Sequence, residues 1–187
     1  MRRQLKNKAD EIRIEHWRPN SANLADDIKM LAEVLHECVH AGASVSFVLP
    51  FSIDDASAFW HKQVLPAVRA GLCCVLVARS AERIVGTVQL DLNTPPNQSH
   101  RAEVRKLLVH PQARRRGIAR RLMHELEDYA RGSRRSLITL DTTSGGFAEP
   151  LYLSVGYVRA GVIPRYSRRV DSPELEATTL MYKELAP

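Results

Sequence analysis

The sequence predicts an α/β fold of mixed α+β character: a mostly antiparallel sheet of about seven strands, flanked by about four helices and containing one parallel pair. Three observations carry this reading. "CCVLVAR" and "RIVGTVQLDL" read as strands joined only by Ser80, Ala81 and Glu82, a link short enough for an antiparallel pair. "AEVRKLLV" and "SLITLDT" are separated by an amphipathic helix, and a strand that follows another through a helix runs parallel to it. A chain of 187 residues is long enough for one well-buried core and short for two. Residues 11–187 therefore read as one domain, after an irregular or disordered stretch over residues 1–10.

"EIRIEHWRP" alternates Ile12, Ile14 and His16 with charged neighbours, as a half-buried first strand does, and stops at Pro19. From Ser21, the expected N-cap, Leu24, Ile28, Leu31, Leu35 and Val39 recur at helical spacing as far as Gly42. "GASVSFVLPF" is read as extended. Ser52 and Asp55 form a capping box for a second helix through Phe59 and Val64, which Pro66 is expected to kink or shorten. The strand pair described above follows, then the loop "NTPPNQS", where Pro95 and Pro96 argue against regular structure. "AEVRKLLV" ends before Pro111. The helix after Gly117 carries Ile118, Leu122, Leu126 and Tyr129 inward, with Arg121/Glu125 and Glu127/Arg131 as outer pairs. "SLITLDT", a short helix from Ala148 to Val155 closed by Gly156, and the strands "YVRAGVIP" and "ATTLMYKEL" complete the chain, with "RYSRRVDSPELE" as a polar loop.

Composition excludes several classes. Hydrophobic residues at 44% and charged residues at 26% match a folded protein rather than a disordered one. No apolar run approaches the roughly 20 residues of a membrane span. "MRRQLKNKAD" has charge but no apolar core behind it, so no secretory signal is expected and the cytoplasm is the expected location. Cys38, Cys73 and Cys74 lack metal-ligand spacing and sit in apolar patterns, which suits buried, inert thiols. The net charge of +6 comes with no polybasic tract and no aromatic-rich strand pair, so no nucleic-acid partner is expected; its densest part lies beside Gly117.

That density raises the main question. A helix start carries unpaired N–H groups and a partial positive charge, so acidic residues belong there. In "VHPQARRRGIARRLM", Arg114, Arg115 and Arg116 stand there instead. Strand, turn, glycine and helix in that order place several free N–H groups around one point, which is an anion site, and Gly117 and Ala119 leave room for the anion to approach. Neither a Gly-Lys-Ser/Thr sequence nor a three-glycine fingerprint is present, so the anion is not held by the nucleoside triphosphate or dinucleotide loops.

Arg114-x-x-Gly117-x-Ala119 after "LLVHP" resembles the pyrophosphate motif of the GCN5-related N-acetyltransferases (GNAT), which use acetyl-coenzyme A. "AEPLYLSVGY" is similar to the family's later signature. The order of elements from Glu11 to Leu185 matches as well, so the resemblance covers nearly the whole chain. It implies a parallel strand pair splayed around the coenzyme. It also implies backbone contacts from Leu107, Leu108 and Val109 to the pantetheine arm, and a pyrophosphate cradle of Arg114, Arg115, Arg116, Gly117, Ile118 and Ala119 with Arg120. Within the family, "GASVSF", "RAEVRKLLVHPQARRRGIARRLM" and "IPRYS" most resemble the tabtoxin-resistance branch, which inactivates a small amino-acid-like toxin.

The resemblance implies Tyr152 as general acid, since a phenol of pKa about 10 can protonate a thiolate; the alternative is a packed core tyrosine. Where relatives often carry asparagine, seven residues earlier, this chain has Gly145, so "TTSGG" must close differently. Glu103 matches the position of a catalytic glutamate in histone-acetylating relatives. Arg105, two residues on, shares its strand face, so a structural Glu103/Arg105 pair is the competing reading. Asp91 is either a grip for an acceptor ammonium or a solvated strand end. His40, His100 and His110 read as surface or loop residues.

The expected function is acetyl transfer from acetyl-CoA to a small amine or amino-acid-like compound, without a metal. A protein or peptide acceptor, a coenzyme-A-binding sensor without turnover and a basic nucleic-acid binder are the competing readings. Dimers are common in the family, though this sequence gives no independent sign of one.

Overall fold

The structure is a computed structural model that describes residues 11–19 and 22–186. Among the described residues seven strands form one sheet: β1 (Ile12–His16), β2 (Cys73–Ser80), β3 (Arg83–Asp91), β4 (Arg101–Val109), β5 (Leu137–Thr143), β6 (Val158–Arg168) and β7 (Leu175–Glu184). Their order is β1-β2-β3-β4-β5-β7-β6. Neighbours are antiparallel except β4 with β5, as expected from the helical crossover between them. The helices are α1 (Leu24–His40), α2 (Ile53–Phe59), α3 (Leu65–Arg69), α4 (Ile118–Gly132) and α5 (Glu149–Ser154).

Alternation along β2 explains the layers. Val75 and Val77 face Ile28, Leu31 and Leu35 of α1, whereas Leu76 and Ala78 face Leu122, Met123 and Leu126 of α4; all are buried. Burying each of the larger side chains contributes about 1.5–3 kcal/mol. Gly86 on β3 sets how closely α4 can approach. A Cβ there would lie 3.0 Å from the Leu108 carbonyl oxygen and 3.2 Å from Ile118 Cγ2, so glycine lets the first residue of α4 rest on the sheet.

Several expectations hold and several are corrected. The capping box at Ser52 is present: the Asp55 N–H donates to Ser52 Oγ at 3.1 Å and the Ser52 N–H donates to Asp55 Oδ2 at 3.0 Å. The N-cap of α1 is Asn23, without a side-chain cap, and Ser21 lies outside the described residues, as do residues 1–10. Pro66 does not end its helix, because α2 runs through a π-helical turn (Trp60–Val64) into α3. A proline lacks the N–H for an i−4 carbonyl and crowds it, and the wider π turn relieves both. Pro96 opens a short 3-10 turn, Pro96–Gln98, inside the expected loop. "RYSR" belongs to β6 rather than to a loop. Pro164 is tolerated because β6 is an outer strand whose register breaks between Ile163 and Ser167.

Glu127 was expected on the outer face of α4 beside Arg131. Instead its side chain is 3% exposed and accepts from Lys183 Nζ of β7 at 2.6 Å, while Arg131 pairs with Asp128 at 2.8 Å. The buried stripe of α4 is wider than a single row, taking in Ile118, Leu122, Met123, Leu126, Glu127 and Ala130. Lys183 also donates to the Val155 carbonyl at 2.7 Å and so ties α4, β7 and the end of α5 together. Lys183→Met should therefore cost about 3–5 kcal/mol in urea unfolding, because it strands a buried carboxylate, and Glu127→Leu on top of it should restore most of the loss.

Candidate active site

The turn after β4 builds the helix start that the arginines crowd. A 3-10 turn, Pro111–Ala113, is followed by Arg115 at φ +65° and Gly117 at φ +74°, and α4 begins at Ile118. Gly117 is the N-cap, with no side-chain cap and no acidic residue in the first turn. The N–H groups of Ile118, Ala119 and Arg120 therefore have no acceptor within the helix, and the first helical bond runs from the Arg121 N–H to the Gly117 carbonyl at 3.2 Å. A Cβ added at Gly117 would meet nothing within 4 Å, so the space before these donors is open. An anionic group fits this cradle on backbone donors alone.

The arginines are not all aimed at that space. Arg114 Nε donates to the Val109 carbonyl at 3.2 Å and ties the turn back to β4. Arg120 Nη2 reaches Ser154 Oγ at 3.1 Å and links the start of α4 to α5. Arg114, Arg115, Arg116 and Arg120 are all exposed.

β4 and β5 pair only from Arg101 to Glu103 against Leu137 to Thr139, and beyond that they part. The edge of β4 from Val104 to Val109 that faces β5 is left without a ladder. Leu108 is buried and lies opposite Thr87, while Val109 lies opposite Gly86. The Val109 carbonyl also accepts from Cys38 Sγ at 3.3 Å. Between Arg105 and Leu108 the ladder with β3 breaks its register, and Lys106 there has φ +50°. This β-bulge turns the Lys106 side chain toward the segment before α2.

Glu103 and Asp91 are joined through Arg105. Arg105 Nε donates to Glu103 Oε1 at 3.0 Å and Arg105 Nη1 lies 2.9 Å from Asp91 Oδ2, with Arg101 Nη1 3.6 Å from the other Glu103 oxygen. Asp91 also accepts from the Asn93 N–H at 2.9 Å. The pair anticipated from the i+2 spacing is thus formed.

Tyr152, on α5, is 6% exposed, with its ring 5.8 Å from that of Tyr157. Burial, and then the negative charge of Asp141, push its phenol well above the ordinary range. The "TTSGG" loop closes through Glu149, whose Oε2 accepts from the Gly145 N–H at 2.7 Å, and through Ser144 Oγ, 2.9 Å from Thr179 Oγ1. Of the histidines, His40 Nδ1 lies 3.0 Å from the His36 carbonyl, His110 accepts from the Gln112 N–H at 3.3 Å, and His100 is exposed.

Sequence reasoning missed a cleft of about 400 Å³ walled by the segment before α2, by α2 with its π turn, and by β3 and β4. Phe47, Phe59, Gln89, Asp91 and Lys106 are among its lining residues. The available signal was the pair of adjacent cations, Arg105-Lys106, at neighbouring positions of one strand. Regular alternation would send the second into the opposite face, and a bulge resolves that conflict.

With this geometry in hand, residues 30–157 match the model of the acetyltransferase (GNAT) family. N-alpha-acetyltransferase RimI of Mycobacterium tuberculosis is 39% identical over 94 residues, which are 49% of this chain and 56% of that protein. N-acetyltransferase 8 of Homo sapiens is 36% identical over 90 residues, 47% of this chain and 40% of that protein. The chain thus spans about half the length of the curated relatives it matches. The crystal structure of yncA from Salmonella typhimurium, a protein solved with acetyl-CoA, superposes with a TM-score of 0.73 at 19% identity over 94% of each chain, a likeness of fold.

The thiols are poor nucleophiles. Burial raises Cys38, and it pushes Cys73 and Cys74 up to about 12. A thiol at about 12 is thiolate to roughly one part in 10⁵ at pH 7, against roughly 3% for a free one. Ellman's reagent should therefore label the folded protein orders of magnitude more slowly than the urea-unfolded protein. Rapid labelling of any one thiol in the folded protein would contradict this burial.

Proposed function

The chain belongs to the acetyltransferase (GNAT) family, and from that premise we propose that it moves an acetyl group from acetyl-CoA to the amine of a small or amino-acid-like molecule. The observation that carries the proposal is the uncapped start of α4, where free N–H groups face open space at Gly117 with no acidic residue in the first turn. Arg114 to Ala119, with Arg120, would hold the pyrophosphate there, chiefly through backbone donors. The unladdered edge of β4 over Leu107, Leu108 and Val109 would hold the pantetheine arm, in the gap that opens between β4 and β5.

Acetyl-CoA supplies the activated acyl group. The neutral acceptor amine forms a C–N bond to the acetyl carbonyl as the C–S bond breaks, Tyr152 gives its proton to the departing thiolate, and the proton that the nitrogen sheds on becoming an amide returns through solvent to the Tyr152 phenolate. The raised phenol keeps that proton at neutral pH. Direct transfer in a ternary complex is supported by the three thiols, each raised by burial and unsuited to carrying the acetyl group. Glu103 is bonded to Arg105 and close to Arg101, and this pairing supports a structural role on β4.

The cleft of about 400 Å³ beside Phe47 and Phe59 has room for a small acceptor. The similarity to an N-alpha-acetyltransferase favours a second reading, a peptide N-terminus entering the same cleft. The toxin-inactivating role rests on the resemblance of "GASVSF", "RAEVRKLLVHPQARRRGIARRLM" and "IPRYS" alone. A cytoplasmic setting and a homodimer are further proposals, carried by the sequence reading and by family habit. Among the described residues no helix is long and apolar enough to cross a membrane.

Two experiments test the core. In calorimetric titration with acetyl-CoA, Gly117→Val should remove binding by filling the cradle, with circular dichroism reporting the fold. Arg115→Ala should weaken binding only severalfold, and less in high salt, since exposed charges are screened within about 8 Å. Normal binding by folded Gly117→Val would overturn the backbone cradle. In a thiol-release assay over an amine panel, Tyr152→Phe should lower kcat by about 10²-fold or more and leave acetyl-CoA affinity intact. An unchanged kcat would remove Tyr152 from the mechanism.

A further inference from the structure

Among the described residues, the wall of the cleft holds an ammonium without a paired carboxylate and a buried amide donor without a partner. Lys106 leaves β4 at the bulge and places Nζ 3.1 Å from Ser46 Oγ, 5.4 Å from the Phe47 ring centre and 5.7 Å from that of Phe59. Among the described residues no carboxylate forms an ion pair with it. Gln89, on β3 directly across from Arg105, is 5% exposed, and its Nε2 is buried without a hydrogen-bond partner. An unsatisfied buried donor costs about 1–3 kcal/mol, and among the described residues Gln89 is the one residue with such an atom that lines this cleft, where a ligand could accept from it. Both side chains line the same cleft.

The neighbouring charges define what that acceptor can be. Arg105 is engaged by Asp91 and Glu103, so its guanidinium is already neutralised. Asp91 lines the cleft as well and opposes a highly charged ligand. What remains is one ammonium and one amide N–H donor between two aromatic rings. That set matches a single planar carboxylate, with one oxygen for each donor and an apolar body against Phe47 and Phe59. A phosphate would bring more charge and more lone pairs than these two donors satisfy. Burial and the nearby Arg105 lower the Lys106 ammonium to about 8, with Asp141 acting in the opposite sense. It stays mostly charged at neutral pH, and a bound carboxylate relieves its poor solvation.

We propose that this cleft is a carboxylate-binding subsite, in which Lys106 and Gln89 hold the carboxylate of an amino-acid-like acceptor and so select it over the corresponding neutral amine. The proposal rests on the reading of the chain as an acetyltransferase with its acceptor in this cleft, and it names the acceptor's second functional group.

The test uses phenylacetate and its uncharged isostere phenylacetamide as probes of the full chain, by calorimetry and thermal shift. Phenylacetate should bind about tenfold more tightly or better, a difference of about 1.4 kcal/mol. Lys106→Met should abolish the difference, Lys106→Arg should restore part of it, and Gln89→Leu should reduce it severalfold. Equal binding of the two probes, a preference that survives in Lys106→Met, or no binding of either by about 10 mM overturns the subsite. Acetyl-CoA titrated in parallel separates the two readings. Its affinity should be the same in the wild type and in Lys106→Met. If acetyl-CoA fails to bind while the phenylacetate preference holds, the acetyltransferase reading falls and the subsite stands.

Discussion

Everything about the site depends on how briefly β4 and β5 are paired. The ladder lasts from Arg101 to Glu103, and the strands separate after it. The closed end is held hard: Arg101 Nη1 donates to Thr139 Oγ1 at 2.9 Å, the Ser136 N–H to the His100 carbonyl at 2.8 Å, and Arg135 to the carbonyls of Ser99, Arg101 and Leu92. The open end is forced by partners on either side. β5 is fully engaged by β7 from Leu137 to Thr143, and β4 is engaged by β3 through its bulge. Two half-sheets hinged at one end leave a wedge with backbone donors and acceptors on one wall. A parallel sheet that stayed paired would have no such wall to offer.

α4 then brings positive potential to the same wedge. Its position follows from Gly86, which admits Ile118 to the sheet, and from the Glu127–Lys183 pair, which ties the buried face of the helix to β7. A helix start without acids is an electrostatic debt within the free protein. The surrounding arginines add to that conflict, and an anion bound at the cradle would offset it. The absence of an acid in the first turn and the open space before Gly117 are the features on which the proposed pyrophosphate cradle rests.

How much of this could be read from the sequence varies with the range of the forces involved. Local chemistry was legible: the Ser52–Asp55 capping box, the β2–β3 hairpin, the parallel crossover and the Gly117 helix start each depend on a few neighbouring residues. The Glu103–Arg105 pair was legible too, because i and i+2 share a strand face. What escaped depends on tertiary partners. Glu127 turns inward only because Lys183, far along the chain, meets it there. Pro66 survives inside a helical rod because Trp60–Val64 widens to a π turn over a packed Trp60. β6 outruns its expected end because β7 is there to pair with it. The bulge at Lys106 escaped for the same reason, since counting residues along β4 does not show how many β3 opposes to them.

The backbone marks the site independently of any side-chain argument. Six non-glycine residues among those described have positive φ. Ala81 lies in the β2–β3 turn, Arg134 follows α4, and Arg165 sits in the register break of β6. The other three are Ser46, Lys106 and Arg115: two lining the cleft and one in the cradle before α4. The left-handed region costs an ordinary L-residue about 1–2 kcal/mol. A lysine holds it at 106 although nothing in the hairpin pairing of β3 and β4 requires a bulge there. Removing the bulge would return Lys106 to strict alternation, away from Ser46 and Phe47, and would carry the strand's remaining residues to the opposite faces. One irregular residue thus has two structural effects: it brings a cation to the wall of the cleft, and it sets the register in which Leu108 and Val109 lie opposite Thr87 and Gly86.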